Sequence, residues 1–564
     1  MSWTGDFLAL DTEDDSNGEV QIINFYDGHR HETFTRVQHG EKMRERAWNW
    51  LYGQAPRLVW ACNMEYDLVN LFGRWVGKMV TLQYVASGLM RGTLRDRRIN
   101  FYDTLRHWPM SVEQMGKHLG MPKVWGEEDN LFDVPHCRQD TEIVWKFVHE
   151  MLSRYARLGL TLKATLPSMA LQLFSKRFYR KDFPMLPHRI VEWMRGGYYG
   201  GRVEVFRFGE VPGPVQHYDV NSLFPSVMRD GTYPNPAQWK QTRTVDFSRE
   251  GMAWCDITLP ESKYPGLPVR GGLDILYPYG KVSGTWCYPE IRQAMADGAR
   301  VTTIHDAIEF QPMMTPFRQY VEFCYGNRLT AKQQDNALDI VWWKLAMNSL
   351  YGKFGAKPII DMIYDDEQVR METKPPASAN VIWAAYVTAH ARLTLLKHLR
   401  STTACYYTDT DSLLTPDLLP TGEELGQLKH EGTYAAVNCV GNKLYTYDAP
   451  GPHGGCKIKG PHSHYKAKGV KVDNSDRGKK LVTIDGQVMN EGERSARDFI
   501  RTGKAVYRKP TRFRESRRSF GAVANKWYEI EKERHAIYTK RIIHADGTTE
   551  PWEWSQYQRM VLEV

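Results

Sequence analysis

The stretch Cys405-Tyr-Tyr-Thr-Asp-Thr-Asp-Ser-Leu-Leu414 sets two carboxylates one residue apart, between an aromatic pair and a short apolar run. Its flanks favour strands while Asp, Thr and Ser favour turns, so it reads as a hairpin with Asp409 and Asp411 at the apex. Taken alone, it is a polar hairpin tip. Side chains at i and i+2 share one face of a strand, and two like charges so placed are unfavourable without a cation between them. The spacing therefore predicts a divalent metal and further carboxylates elsewhere. A second segment, Val215-Gln-His-Tyr-Asp-Val-Asn-Ser-Leu-Phe-Pro225, ends a strand-like run at Asp219 and then turns sharply. An isolated Asp in that place reads as a helix N-cap. Together with Asp409 and Asp411 it makes a set suited to two Mg2+ ions, which take oxygen ligands and keep waters that substrate phosphates replace. Two such ions, roughly 3.5 to 4 Å apart, stabilise both the attacking and the leaving oxygen of a phosphoryl displacement.

The chain has 564 residues, too many for one core; division into roughly three or four domains is expected. No signal peptide or uninterrupted apolar span is visible, so the expectation is a cytoplasmic protein, of a host cell if viral, with no membrane partner. The eight cysteines form no CxxC pair, which argues against zinc knuckles and a disulfide framework. His453, Cys456, His462 and His464 crowd one glycine-rich loop. Their spacing matches no standard zinc pattern, and Lys457, Lys459 and Lys466 between them would repel a cation. The net charge is unevenly placed: from Gly441 onward there are 25 Lys+Arg against 15 Asp+Glu, whereas the preceding residues hold 49 against 51. The densest part, Arg501 to Arg518, interleaves eight basic residues with Phe and Tyr. That mixture suits a nucleic-acid backbone better than a bland solvated face.

No internal repeat is visible, which argues against solenoids and propellers. Phe7 to Leu10 is a short apolar run that stops at DTEDD, as a strand ending in a site or turn would. Helical patterns around Gln114 to Leu119 and Thr141 to Leu152 make the first third α/β. The glycine-dense RGGYYGGR, Arg195 to Arg202, predicts a domain boundary. Strands are expected at Val215 to Tyr218 and Trp254 to Leu259, and one long helical stretch from Asn327 to Phe354.

These segments carry a resemblance. DVNSLFP resembles motif A of the family B DNA polymerases, Lys344-Leu-Ala-Met-Asn-Ser-Leu-Tyr-Gly352 their motif B, and YTDTDS their motif C, in the family's order. Reverse transcriptases also place aspartates after a Tyr, but adjacent, whereas Thr410 separates these two. On a helix, Lys344, Asn348 and Tyr351 share one face, presenting a cation, an amide and a ring; an amphipathic helix with its Tyr in a core is the bland alternative. The resemblance implies that Asp219, Asp411 and Val220 hold the polymerase metals, with Asp409 supporting. A primer 3′-hydroxyl then attacks the α-phosphate, and Lys344 helps hold the pyrophosphate. Arg328 and Lys332, one turn apart, would add triphosphate contacts. Phe224 replaces the family's Tyr beneath the incoming sugar; it keeps the bulk that excludes a 2′-hydroxyl, so deoxynucleotide selectivity is expected to survive.

The N-terminal acids resemble the same family's proofreading exonuclease. Asp11 and Glu13 match its first motif, Asn63-Met-Glu-Tyr-Asp67 its second, with Asn63 as a substrate contact, and Asp140 its third. The four acids would bind two metals. The third motif normally has a Tyr four positions before its Asp, and here that position is His136, a residue type able to orient or deprotonate water. The YYGG element, Tyr198 to Gly201, and Lys443-Leu-Tyr445 resemble the small protein-primed replicases of phages and linear plasmids, in which the Lys and Tyr steady the primer terminus. Lys468 would also touch the duplex. Gly355 to Pro376, where a strand-displacement insertion would lie, is short.

The expected architecture is α/β and multidomain. It comprises an RNase H-like 3′-5′ exonuclease (1–190) and a right-hand polymerase with palm (191–315 and 380–490), fingers (316–379) and thumb (491–564). The expected function is DNA-dependent DNA synthesis with proofreading, primed by a protein. The expected cofactor is Mg2+, two per site, with Mn2+ as a substitute. The expected partners are primer-template DNA, dNTPs and a terminal protein, for a monomeric enzyme. The alternatives are a replicase extending an ordinary nucleic-acid primer, a nuclease or DNA-binding protein with a degenerate polymerase half, and a structural DNA-binding protein.

Overall fold

The run Phe7-Leu-Ala-Leu10 is buried at every position, the pattern of a strand covered on both faces. In the computed structural model, strand Phe7–Asp14 pairs in parallel with Leu58–Ala61 and antiparallel with Val20–Tyr26. Helices Met64–Phe72 and Val134–Arg157 pack against it. In the second helix the buried apolar positions Cys137, Val144, Phe147, Val148, Met151 and Tyr155 recur at helical spacing and form one stripe. The structure describes residues 7–562 except 16–17, 55, 57, 86–87, 95–98, 124–133, 181–182, 185, 273, 358, 366–367, 375–379, 448–463, 468–480, 485–486, 491–503, 511–526 and 534–537.

The chain divides into two compact units. The first comprises Met1–Lys181, Phe323–Ala377 and Arg508–Tyr528, and the second Asp182–Glu322, Ser378–Tyr507 and Glu529–Val564. The first is built on a nine-stranded sheet in which hairpin Ile359–Asp365/Gln368–Lys374 joins the N-terminal strands by pairing Ile360 with Tyr84 and Met362 with Leu82. These two strands, which fall within the short segment from Gly355 to Pro376, thus form the end of that sheet. The single helical stretch expected from Asn327 to Phe354 is two helices, Arg318–Gln333 and Ala337–Phe354. Asp335 takes a left-handed φ of 51°, and Asn336 caps the second helix by accepting from Asp339 N at 3.1 Å. Helical spacing persists across this break because the two helices continue each other's pattern, so only the capping chemistry marks it.

The second unit is built on a seven-stranded sheet with the order His464–Ala467, Leu444–Tyr447, Leu428–Gly441, Gly209–Val220, Ser412–Thr415, Tyr407–Asp409, Val203–Val205. A separate four-stranded sheet holds Trp239–Thr242, Arg300–Phe310, Glu250–Leu259 and Gly280–Cys287. Helix Val381–Arg400 is buried along most of its length and packs on helices His188–Arg195, Leu223–Asp230 and Tyr288–Ala296. The C-terminal stretch returns to the edge strand: Val205 N donates to Tyr538 OH at 2.8 Å, and Arg541 lies 3.4 Å from the buried Glu204.

Candidate functional site

Three strands bring the motif A and motif C acids together. Ser412 is the register partner of Asp219, and Val220 N donates to Asp411 O at 2.7 Å. Motif A leaves its strand through Ser222, left-handed at φ 50°, and enters helix Leu223–Asp230. Ser222, not Asp219, therefore occupies the N-cap position. The turn is fastened from outside by Asn221 N to Gln427 O at 2.9 Å and Gly426 N to Asn221 O at 2.8 Å. Phe224, half-buried, lies in the first turn of that helix.

In motif C the two acids stand in different surroundings. Asp409 ends strand Tyr407–Asp409, Thr410 turns the chain at φ 67°, and Asp411 begins the return. A left-handed residue between them breaks the strand alternation, so the two acids differ in surroundings. Asp409 is 4% exposed, and its Oδ1 receives the Lys443 ammonium at 2.7 Å, while Asp411 is half-buried. Lys443 is itself left-handed, with φ 57°, and its N–H donates to Tyr407 OH at 2.9 Å. Tyr445 is buried, with its ring 5.1 Å from that of Tyr407. The Lys443-Leu-Tyr445 element therefore sits directly on motif C. Lys468 lies outside the described residues, as do His453, Cys456 and His462.

In the first unit, Asp11 and Glu13 share strand Phe7–Asp14 as expected, and Asp140 stands on helix Val134–Arg157. Asp67 is buried on helix Met64–Phe72 and accepts from Thr12 Oγ1 at 2.8 Å. Burial, reinforced by the charges of Asp140, Glu13 and Asp67, pushes the Asp11 carboxyl well above the usual range. Burial likewise raises Asp67, helped by Asp103 and Glu13 and opposed by the Thr12 hydrogen bond. Burial and neighbouring like charges disfavour the ionised form of each acid. His136 lies 3.9 Å from Asp140 Oδ2. Asn63, left-handed at φ 71°, donates its N–H to Asp103 at 3.0 Å. Sequence reasoning missed Lys123, whose ammonium meets Asp140 Oδ2 at 2.7 Å; it belongs to no motif, and only the fold brings it there. Among the described residues, no three His, Cys, Asp or Glu side chains enclose an ion as they stand. In each carboxylate group a lysine ammonium holds one acid.

On helix Ala337–Phe354, Trp342, Trp343, Ala346, Met347 and Leu350 are buried, whereas Lys344 is exposed and Asn348 and Tyr351 half-buried. Asn348 Nδ2 donates to Lys344 O at 2.8 Å, so these two share a face. On the preceding helix Arg328 is half-buried, which lowers its pKa, and Lys332 is exposed.

Residues 134–401 match the family described as DNA polymerase type B, organellar and viral. The chain is 25% identical over 378 residues to a probable DNA polymerase of Neurospora intermedia, covering 56% of this chain and 38% of that protein. It is 28% identical over 333 residues to the DNA-directed DNA polymerase of Enterobacteria phage PRD1, covering 53% and 57%. The match thus spans about half the length, or less, of these relatives. Its fold matches phi29 DNA polymerase complexed with primer-template DNA and incoming nucleotides, with a TM-score of 0.71 and 16% identity over 94% of this chain and 100% of that one. The fold is therefore that of an exonuclease domain joined to palm, fingers and thumb. The chain is thus similar in sequence to type B DNA polymerases of organelles and viruses and shares the fold of a phage DNA polymerase. DNA polymerases of phages are among the relatives it resembles.

Proposed function

We propose that this chain is a DNA-dependent DNA polymerase with a 3′-5′ proofreading exonuclease, using Mg2+ in both sites and starting synthesis from a terminal protein. The observation that carries the reading is the junction of Asp219 and Asp411, fixed by strand register and by the Val220 to Asp411 hydrogen bond. Both acids are half-buried, so their oxygens remain accessible. An all-oxygen donor set of two carboxylates and the Val220 carbonyl suits a hard divalent cation. When bound, such ions supply charge stabilisation at the attacking and leaving oxygens.

The chain's own groups do the rest. Lys443 neutralises Asp409, and the half-buried Asp411, bonded through its carbonyl to Val220 N beside Asp219, is assigned direct ligation. The exposed Lys344 binds the triphosphate, and Asn348 and Tyr351 on its helix orient the nascent pair. Phe224 excludes a 2′-hydroxyl by bulk. Lys443 and Tyr445 steady the primer terminus. In the exonuclease, Asp11, Glu13, Asp67 and Asp140 hold the ions, and His136, close to Asp140, orients the attacking water.

The test is nucleotide incorporation on a primed template with Mg2+ or Mn2+. Asp219→Asn and Asp411→Asn should each reduce extension at least about a thousandfold, as loss of charge stabilisation at the reacting centre does, while degradation of single-stranded DNA persists. Extension by either variant at the wild-type rate would exclude the assignment. Supplying a candidate terminal protein in place of a primer should give nucleotide covalently attached to protein; strict dependence on a nucleic-acid primer would exclude protein priming.

A further inference from the structure

A third group of residues lies behind the motif C turn. Arg392, on helix Val381–Arg400, is 2% exposed and pairs at 2.8 Å with Glu290, which is 1% exposed. Its Nη1 donates to the carbonyls of Tyr199 at 2.7 Å and Gly200 at 2.8 Å. The Tyr199 ring lies beneath the guanidinium groups of Arg270 and Arg392, at 4.6 and 5.7 Å from its centroid. One nitrogen thus holds the two peptide groups that precede Gly201, while Nε and Nη2 face Glu290.

Gly201 is where this segment meets motif C. A Cβ there would stand 2.7 Å from Thr410 Cγ2 and 2.9 Å from Thr410 Oγ1. The following carbonyl, that of Arg202, accepts from Thr410 N at 2.7 Å. Thr410 is the left-handed residue between Asp409 and Asp411, and such a conformation in a β-branched residue persists only where its surroundings impose it. A buried ion pair gives little net stability, because desolvation offsets its attraction, and an apolar pair would hold the helix as well. What an apolar pair does not do is donate to two successive carbonyls from one end of a rigid, planar guanidinium whose other edge a carboxylate holds.

We propose that Arg392, braced by Glu290, is a positioning residue for the polymerase carboxylates. It acts through Tyr199 to Arg202 on the Thr410 turn and so sets where Asp409 and Asp411 stand. The inference rests on the polymerase reading above and adds to it a residue outside motifs A, B and C.

Arg392→Lys in the full chain tests it, since lysine keeps the charge beside Glu290 and loses the separate nitrogen that donates to the Tyr199 and Gly200 carbonyls. Primer extension should fall about 10- to 100-fold in kcat, the scale of a misplaced catalytic group. The Mg2+ concentration at half-maximal extension should rise, with KM for dNTP changed less than about threefold. Digestion of single-stranded DNA, its Mg2+ midpoint and the melting temperature should stay at wild-type values. Gly201→Ala, which presses on Thr410 from the other end, should give the same signature. A folded Arg392→Lys with wild-type kcat and Mg2+ midpoint would overturn the proposal, and so would parallel loss of both activities with a lowered melting temperature. If Arg392→Lys fails to fold, an unchanged Gly201→Ala overturns it. A wild type unable to extend any primer defeats the polymerase reading itself; a wild type that extends, matched by its variants, defeats only this inference.

Discussion

At the scale of single residues, Asp409 and Asp411 stand in different surroundings. Thr410 turns the chain between them, and the Lys443 ammonium pairs with Asp409. A comparable division separates the histidines. His107 is buried, its Nδ1 lies 2.9 Å from Tyr155 OH, and burial drives its pKa down to about 3. A histidine whose folded pKa is depressed contributes stability that is present above its unfolded value and lost as pH falls through the folded one. Stability should therefore decline below about pH 6.5 with a slope approaching roughly 1.4 kcal/mol per pH unit from this group. His107→Phe should flatten that part of the acid limb down to about pH 3. Urea denaturation across the range checks it: an unchanged acid limb would assign the decline to other groups.

At the scale of elements, one helix serves two regions of the first unit. Helix Val134–Arg157 carries His136 and Asp140 in its first turns, and near its other end Arg154 pairs with Asp339 at 2.5 Å in the opening turn of helix Ala337–Phe354. Arg154 is 7% exposed on its side chain and lies over the Trp108 ring, whose neighbour at 6.5 Å is Trp342. The helix bearing Lys344, Asn348 and Tyr351 is thereby anchored to the helix bearing the third exonuclease motif. Arg154→Met removes the partner of Asp339 and should cost about 1–3 kcal/mol, the range for a buried polar group left unpaired. Equilibrium urea unfolding measures this, and a charge-reversed double variant, Arg154→Asp with Asp339→Arg, should recover part of the loss. The helix stripe was legible from its periodicity; the ion pair was not, because neither residue belongs to a periodic or motif position.

At the scale of the whole molecule, the charge asymmetry in sequence predicts behaviour that no single contact does. With its positive excess after Gly441, the chain should hold primer-template DNA through phosphate contacts, and affinity should fall at least about tenfold between 50 and 200 mM salt. A titration showing no salt dependence would remove DNA backbone binding from the account. The strand at Phe7 to Leu10, the strand leading to Asp219, the hairpin at Asp409 and Asp411 and the α/β character of the first third were readable from sequence, because each is a matter of residue type at short spacing. Long-range assembly was not. The sequence by itself determined which acids the chain owns and in what order. Only the tertiary structure decided that Lys123 and Lys443 each hold one of those acids, that hairpin 359–374 completes the N-terminal sheet, and that Arg392 stands behind the Thr410 turn. These are contacts between segments far apart in the chain, set by how strands register and helices pack, and no local pattern encodes them.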